Sequence, residues 1–180
     1  AARACRARSN AASCAGVAER FAGTSLTGAG SAGAGAWRFV PFAHAGSNVT
    51  LSQGGAVATK SGHSGYTNAV AAADESLSAG VHCWEVEITK GEYIMVGVCQ
   101  ADVRPESGTK DLCDQQGKAW FMNIYSGTLY PGRKDAAGKV PEGARLGCKL
   151  DLGAGTLTFY LNGVKHGPGW DNRAINPLIS

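Results

Sequence analysis

Val81-His82-Cys83-Trp84-Glu85-Val86-Glu87-Ile88-Thr89 is the stretch on which the fold turns. Trp84, Val86 and Ile88 recur at every second position, and Cys83, Glu85 and Glu87 occupy the positions between. A period of two is the mark of a β-strand with one face in the core and the other toward water. Lys90-Gly91-Glu92 then reverses the chain into Tyr93–Cys99, which is apolar on both faces and reads as a central strand.

The same period continues outward in both directions. Downstream, Ala119–Tyr125 and Thr128–Tyr130 are joined by Ser126-Gly127. Leu146, Cys148, Leu150 and Leu152 alternate along one strand, and Gly153-Ala154-Gly155 turns it into Thr156–Leu161 with Leu157, Phe159 and Leu161 inward. Asn162-Gly163 supplies the residues of a type I′ hairpin turn. Upstream, Asn48–Leu51 and Ala56–Lys60 flank the turn Gln53-Gly54-Gly55. About ten short strands at regular spacing, with no long helix between them, select an antiparallel two-sheet β-sandwich over a parallel α/β sheet. The 26 glycines fall mostly between the hydrophobic runs, where reversals are needed.

Residues 1–36 differ in composition, being rich in Ala, Gly, Ser and Arg with Glu19 the sole acid. They read as a leader and tether, with 37–180 as the folded domain. Cys14, Val17, Ala18 and Phe21 recur at helical spacing and predict one short helix capped by Asn10. Gly28–Gly35 reads as a flexible tether.

Composition excludes several function classes. The net charge of +3 is spread along the chain, so neither nucleic acid nor an anionic membrane is expected as partner. No apolar run is long enough to span a bilayer as a helix. The six cysteines form no CxxC pair and no zinc-ligand spacing. They read as thiols in a reducing compartment, hence a cytoplasmic domain, although Asn48-Val49-Thr50 is a formal glycosylation sequon.

Glu85 and Glu87 lie on one strand face, where solvated carboxylates are the ordinary occupants. His44, His63, His82 and His166 stand apart from any acid or thiol cluster. Cys99 and Cys148 have no neighbouring base in sequence to lower their pKa and read as packed thiols. Gly28–Gly35 lacks the Lys-Ser/Thr ending of a phosphate loop. No catalytic residue, metal or cofactor is expected, and the chain reads as a non-enzyme. Trp84 and Trp120 are expected in the core, and Trp170, after Gly167-Pro168-Gly169, on a turn.

Several segments together resemble the SPRY domain family, the shorter relative of the PRY-SPRY domain. Ser78-Ala79-Gly80-Val81-His82-Cys83-Trp84-Glu85-Val86-Glu87 is similar to its SSGxHYWEVE signature, and Tyr93–Val98 to the strand that follows. Leu150-Asp151-Leu152 with Gly155–Gly163 resembles its LDxxxGTLxFxxNG hairpin. Gly46–Ser52 resembles the opening strand and Pro177–Ser180 the start of the closing one. Phe39-Val40-Pro41 stands where the longer form has Leu-Asp-Pro.

The resemblance implies a concanavalin-like or jelly-roll-like sandwich, and a protein-interaction module that recognises a peptide or partner surface through loops at one edge. It implies three binding loops, Lys60–Tyr66, Gln100–Lys118 and Gly132–Val140. Within them His63, Tyr66, Arg104, Lys110, Arg133 and Lys134 combine an aromatic anchor with basic donors. Two other readings remain open at this level: a structural component of a larger complex, docked through residues 1–36, and a carbohydrate-binding sandwich.

Overall fold

The computed structural model describes residues 3–8, 42–45, 49–54, 57–60, 69–71, 79–91, 94–100, 119–132 and 137–170. They form twelve strands: β1 (Arg3–Arg8), β2 (Phe42–Ala45), β3 (Val49–Ser52), β4 (Val57–Lys60), β5 (Ala69–Ala71), β6 (Val81–Lys90), β7 (Met95–Cys99), β8 (Ala119–Asn123), β9 (Leu129–Tyr130), β10 (Arg145–Asp151), β11 (Thr156–Leu161) and β12 (Val164–Lys165). No helix occurs among the described residues, and every strand pairing is antiparallel. The expected helix at Asn10–Phe21 and the tether lie outside them. No helix among the described residues is long and apolar enough to cross a membrane.

Two sheets face each other. One has seven strands in the order β12-β11-β10-β6-β1-β4-β3, the other three in the order β7-β8-β9, and β2-β5 stand as a separate pair. Between them lies one apolar core. Val86, Ile88, Leu146, Cys148, Leu150, Leu157 and Phe159 from the large sheet meet Val96, Trp120, Met122 and Leu129 from the small one. Alternation along β6, β10 and β11 delivers these side chains to the same side, because register pairs Cys148 with both Trp84 and Phe159, and Leu150 with Leu157. Each fully buried aliphatic or aromatic side chain contributes about 1.5–3 kcal/mol. Trp120 is buried as expected, while Trp84 is half-buried against the core. Trp170, which follows the turn, is also buried, its backbone paired with Leu157.

The hairpin turn after β11 has the expected form, with Asn162 at φ 48° and Gly163 at φ 88°. Both central residues are left-handed, as a type I′ turn demands. The Asn162 Oδ1 also accepts a hydrogen bond of 3.0 Å from the Arg145 backbone N–H, tying the turn to the start of β10.

Three features depart from the sequence expectations. First, Arg3–Arg8, within the expected leader, is a strand inserted between β6 and β4. Its segment has no β-branched or aromatic residue, so propensity alone does not announce it. Second, β7 has β8 as its only strand neighbour among the described residues, where two were expected. Its apolar character reflects partial burial of both faces. Third, Cys99 and Cys148 carry thiols, but Cys83 is disulfide-bonded. Cys83 falls on the opposite face of β6 from Val86 and Ile88 yet is only 6% exposed.

Candidate functional site

None of the six residues expected to contact a partner lies among the described ones: His63, Tyr66, Arg104, Lys110, Arg133 and Lys134 all fall in the intervening segments. Their attachment points are described. Lys60 closes β4 beside Arg3, and Ala4 pairs with Lys90, so the 61–68 segment departs from the end of the sandwich where β6 finishes. Ala137, after residues 133–136, donates its N–H to the Gly127 carbonyl at 3.2 Å, and Val140 donates to Ile124 at 2.8 Å. Ile124 in turn donates to Ile94, and Ile88 to Ala144, which sets this loop at the same end. The 101–118 segment leaves from Cys99 and returns at Ala119, a pair at the opposite end of the β7–β8 ladder. The described roots of the three loops therefore fall at two ends of the sandwich.

At the end shared by the first and third loops, the structure describes a surface that sequence reading did not single out. Tyr125 is 44% exposed. The Lys139 Nζ lies 5.3 Å from its ring centroid. A lysine over a partly exposed tyrosine face contributes about 0.5–1 kcal/mol and holds both groups in place. The segment carrying Lys139 is pinned from two sides. Gly127 closes on Gly138 so tightly that a Cβ at Gly127 would lie 2.5 Å from the Gly138 backbone. On the other side, the His166 Nε2 and the Gly138 carbonyl are 3.2 Å apart, and His166 follows the exposed Lys165 and Val164 of β12.

The β6–β7 turn joins the same assembly, because the Gly91 N–H donates to the Glu142 Oε1 at 2.8 Å. Tyr125, Lys139, Lys165 and His166 thus sit on turns joined by hydrogen bonds, with the exposed Glu142 as a carboxylate in the same assembly. Such a surface can offer an aromatic face and ammonium donors to a partner. A signal for Tyr125 was present in the sequence. Trp120, Met122 and Ile124 hold the buried phase, so Tyr125 falls on the other one.

Among the described residues no group of three or more His, Cys, Asp or Glu could hold a metal ion. Glu85 and Glu87 are half-buried on the outer face of β6, at register positions opposite Gly147 and Arg145 of β10.

The model of the SPRY domain matches residues 81–179. The SPRY domain-containing SOCS box protein 3 of Xenopus laevis is 32% identical over 117 residues, which is 59% of this chain and 32% of that protein. Its Xenopus tropicalis counterpart is 33% identical over 94 residues, or 48% of this chain and 26% of that protein. The chain thus spans about a third or less of the length of these relatives. Among solved structures, the SPRY domain of human HERC1 is similar at 24% identity and a TM-score of 0.45, over 53% of this chain and 61% of that one.

Proposed function

The chain belongs to the SPRY domain family, and from that premise we propose that its protein-interaction role is exercised at the end of the sandwich where Tyr125 and Lys139 are exposed. His63, Tyr66, Arg133 and Lys134 are the loop residues that complete this contact. Arg104 and Lys110, on the long interval 100–118, form a second one. The partner is a protein or peptide with an extended or acidic stretch able to accept from the basic side chains. A rigid two-layer frame limits the conformational freedom lost on binding, so affinity accrues to the few loop side chains that touch the partner. The relatives' names couple a SPRY domain to a SOCS box. On that ground we read this chain as the recognition part of a larger protein and assign it no catalysis of its own.

The observation that carries this reading is the Tyr125–Lys139 pair, fixed on hydrogen-bonded turns beside residues 133–136. The test is affinity capture from a native extract, repeated with variants. Arg133→Ala combined with Lys134→Ala is expected to weaken retention of the captured protein at least about tenfold, the scale of 1.4 kcal/mol. Its melting temperature should stay that of the parent, as expected for surface positions. A lowered melting temperature with unchanged retention contradicts the assignment.

Cytoplasmic residence belongs to the same proposal, and the state of Cys83 decides it. Alkylation of the protein in its native extract is expected to label all six cysteines in a reducing compartment. Two fewer adducts before reduction shows that the Cys83 disulfide persists and places the domain in an oxidising one.

A further inference from the structure

The strand β1 is the described link between the β3–β4 pair and the rest of the seven-stranded sheet. It pairs with β4 through Arg3–Arg6 and with β6 through Ala4–Arg8. Two features mark this place as a slot with a separable occupant. Residues 9–41 separate β1 from β2, enough chain to reach on the order of 100 Å when extended. Arg-Ala-Cys-Arg-Ala-Arg also has weak strand propensity of its own, so the flanking strands impose its conformation.

The slot has a chemical signature. Register sets Arg6 opposite Glu87 and Arg8 opposite Glu85, while Arg3 stands opposite Lys60. Directly opposite charges of unlike sign favour a pairing and like charges disfavour it. Glu85 and Glu87 are half-buried, which screens them less than fully solvated groups. The slot therefore selects an extended segment with basic residues two apart at its far end. Such a segment adds main-chain hydrogen bonds on both sides, and alternate side chains set the specificity.

We propose that this slot accepts the Arg3–Arg8 strand of a second copy of the chain, giving a reciprocal strand-exchanged dimer. The occupant is fixed by the register itself, since residues 3–8 are the segment seen to fit it. Exchange makes no new kind of contact; it supplies the same strand from another chain, which is why it costs little. A tethered strand competes at an effective concentration on the order of 1 mM, so the parent protein at about 50 µM is mainly monomeric. Strand exchange is independent of the binding site at the loops and is tested without any partner.

Two full-length variants provide the test, one carrying Arg6→Glu and Arg8→Glu, the other Glu85→Lys and Glu87→Lys. Each is mismatched within its own chain. Mixed in equal amounts and taken through unfolding and refolding, they are matched only by exchanging strands. Arg145, opposite position 87 on the other side, adds a like-charge penalty wherever position 87 is lysine, that is in the second variant, in one half of the mixed dimer and in the four-substitution chain, and not in the first variant. The mixture is expected to elute at twice the monomer mass and to melt roughly 4–8 °C above either variant alone. Elution as monomers, with the two separate melting temperatures retained, overturns the assignment.

A chain carrying all four substitutions is matched within itself and serves as the folding control. It should melt, as a monomer, above the Glu85→Lys, Glu87→Lys variant that shares its Arg145 clash. If it does not, the pairing of Arg6 and Arg8 with Glu87 and Glu85 is itself wrong. If the single variants do not fold alone, recovery of a folded dimer on mixing supports exchange. Continued failure beside a folded four-substitution chain refutes it.

Discussion

Replacing Phe159 by alanine is expected to cost about 3–5 kcal/mol of stability, the range for emptying an aromatic site in a packed core. Phe159 has no exposed surface and lies on β11 opposite Cys148, within the cluster that joins the two sheets. Its neighbours come from strands held in register on several sides, so the void left by the ring cannot close by local collapse. With stabilities of 5–15 kcal/mol typical of whole domains, this single loss consumes a large share. The melting temperature should fall by roughly 6–20 °C, at about 2–4 °C per kcal/mol for a chain of this size. Thermal unfolding followed by circular dichroism measures it, and Phe159→Leu should fall by much less. A shift under a few degrees for Phe159→Ala would mean that β11 does not face the small sheet.

Replacing Gly97 by alanine is expected to be of comparable severity, through crowding and not through a cavity. Gly97 sits in β7 opposite Phe121, and a Cβ built on it would meet the Trp120 carbonyl oxygen at 1.9 Å and the Trp120 carbonyl carbon at 2.8 Å. The obstacle is backbone, which has no rotamer through which to move away. The β7–β8 ladder must therefore part at its centre, at about 3 kcal/mol or more, the upper end for overpacked sites. Trp120 is almost fully buried, so displacement of its backbone also disturbs the core beneath. Chemical denaturation with the near-ultraviolet tryptophan signal as a second probe is the check. A midpoint within a few tenths of a molar of the parent would contradict the close approach of the two strands.

The fold was legible wherever one side of a strand faces the core alone. β6, β10 and β11 announce themselves because Val86, Ile88, Leu146, Leu150, Leu157 and Phe159 recur at period two, and the structure buries all of them. The type I′ turn at Asn162-Gly163 was equally readable, because few residues tolerate two successive left-handed positions. β1, β2, β5 and β12 escaped notice for a common reason. Arg3–Arg8, Phe42–Ala45, Ala69–Ala71 and Val164–Lys165 are short or poor in strand-forming side chains, and their conformation comes from the neighbours they pair with. Cys83 shows a further limit, since alternation assigned it to the outer face without revealing what covers that face. For β7, apolar residues on both faces suggested two neighbouring strands, and β8 is the one that the described residues supply.

The site was legible only in part, and the physical reason is general. Loop side chains are not constrained by the period of any strand, so His63, Tyr66, Arg104, Lys110, Arg133 and Lys134 rest on family resemblance and residue type. Tyr125 is the instructive contrast, because the phase set by Trp120, Met122 and Ile124 turns it outward, a signal that the sequence reading left unused. Lys139 could not be found this way. Its place over the Tyr125 ring depends on the hydrogen bonds from Ala137 and Val140 to the β8–β9 turn, which join residues distant in sequence.

Amide hydrogen exchange of the domain, alone and with its captured protein bound, tests the recognition surface most directly. Slowed exchange should concentrate at residues 60–66, 125–127 and 132–140, with the amides of β10 and β11 unchanged. Protection spread instead over the outer face of the seven-stranded sheet, with that end of the sandwich unaffected, would show that recognition takes place elsewhere on the molecule.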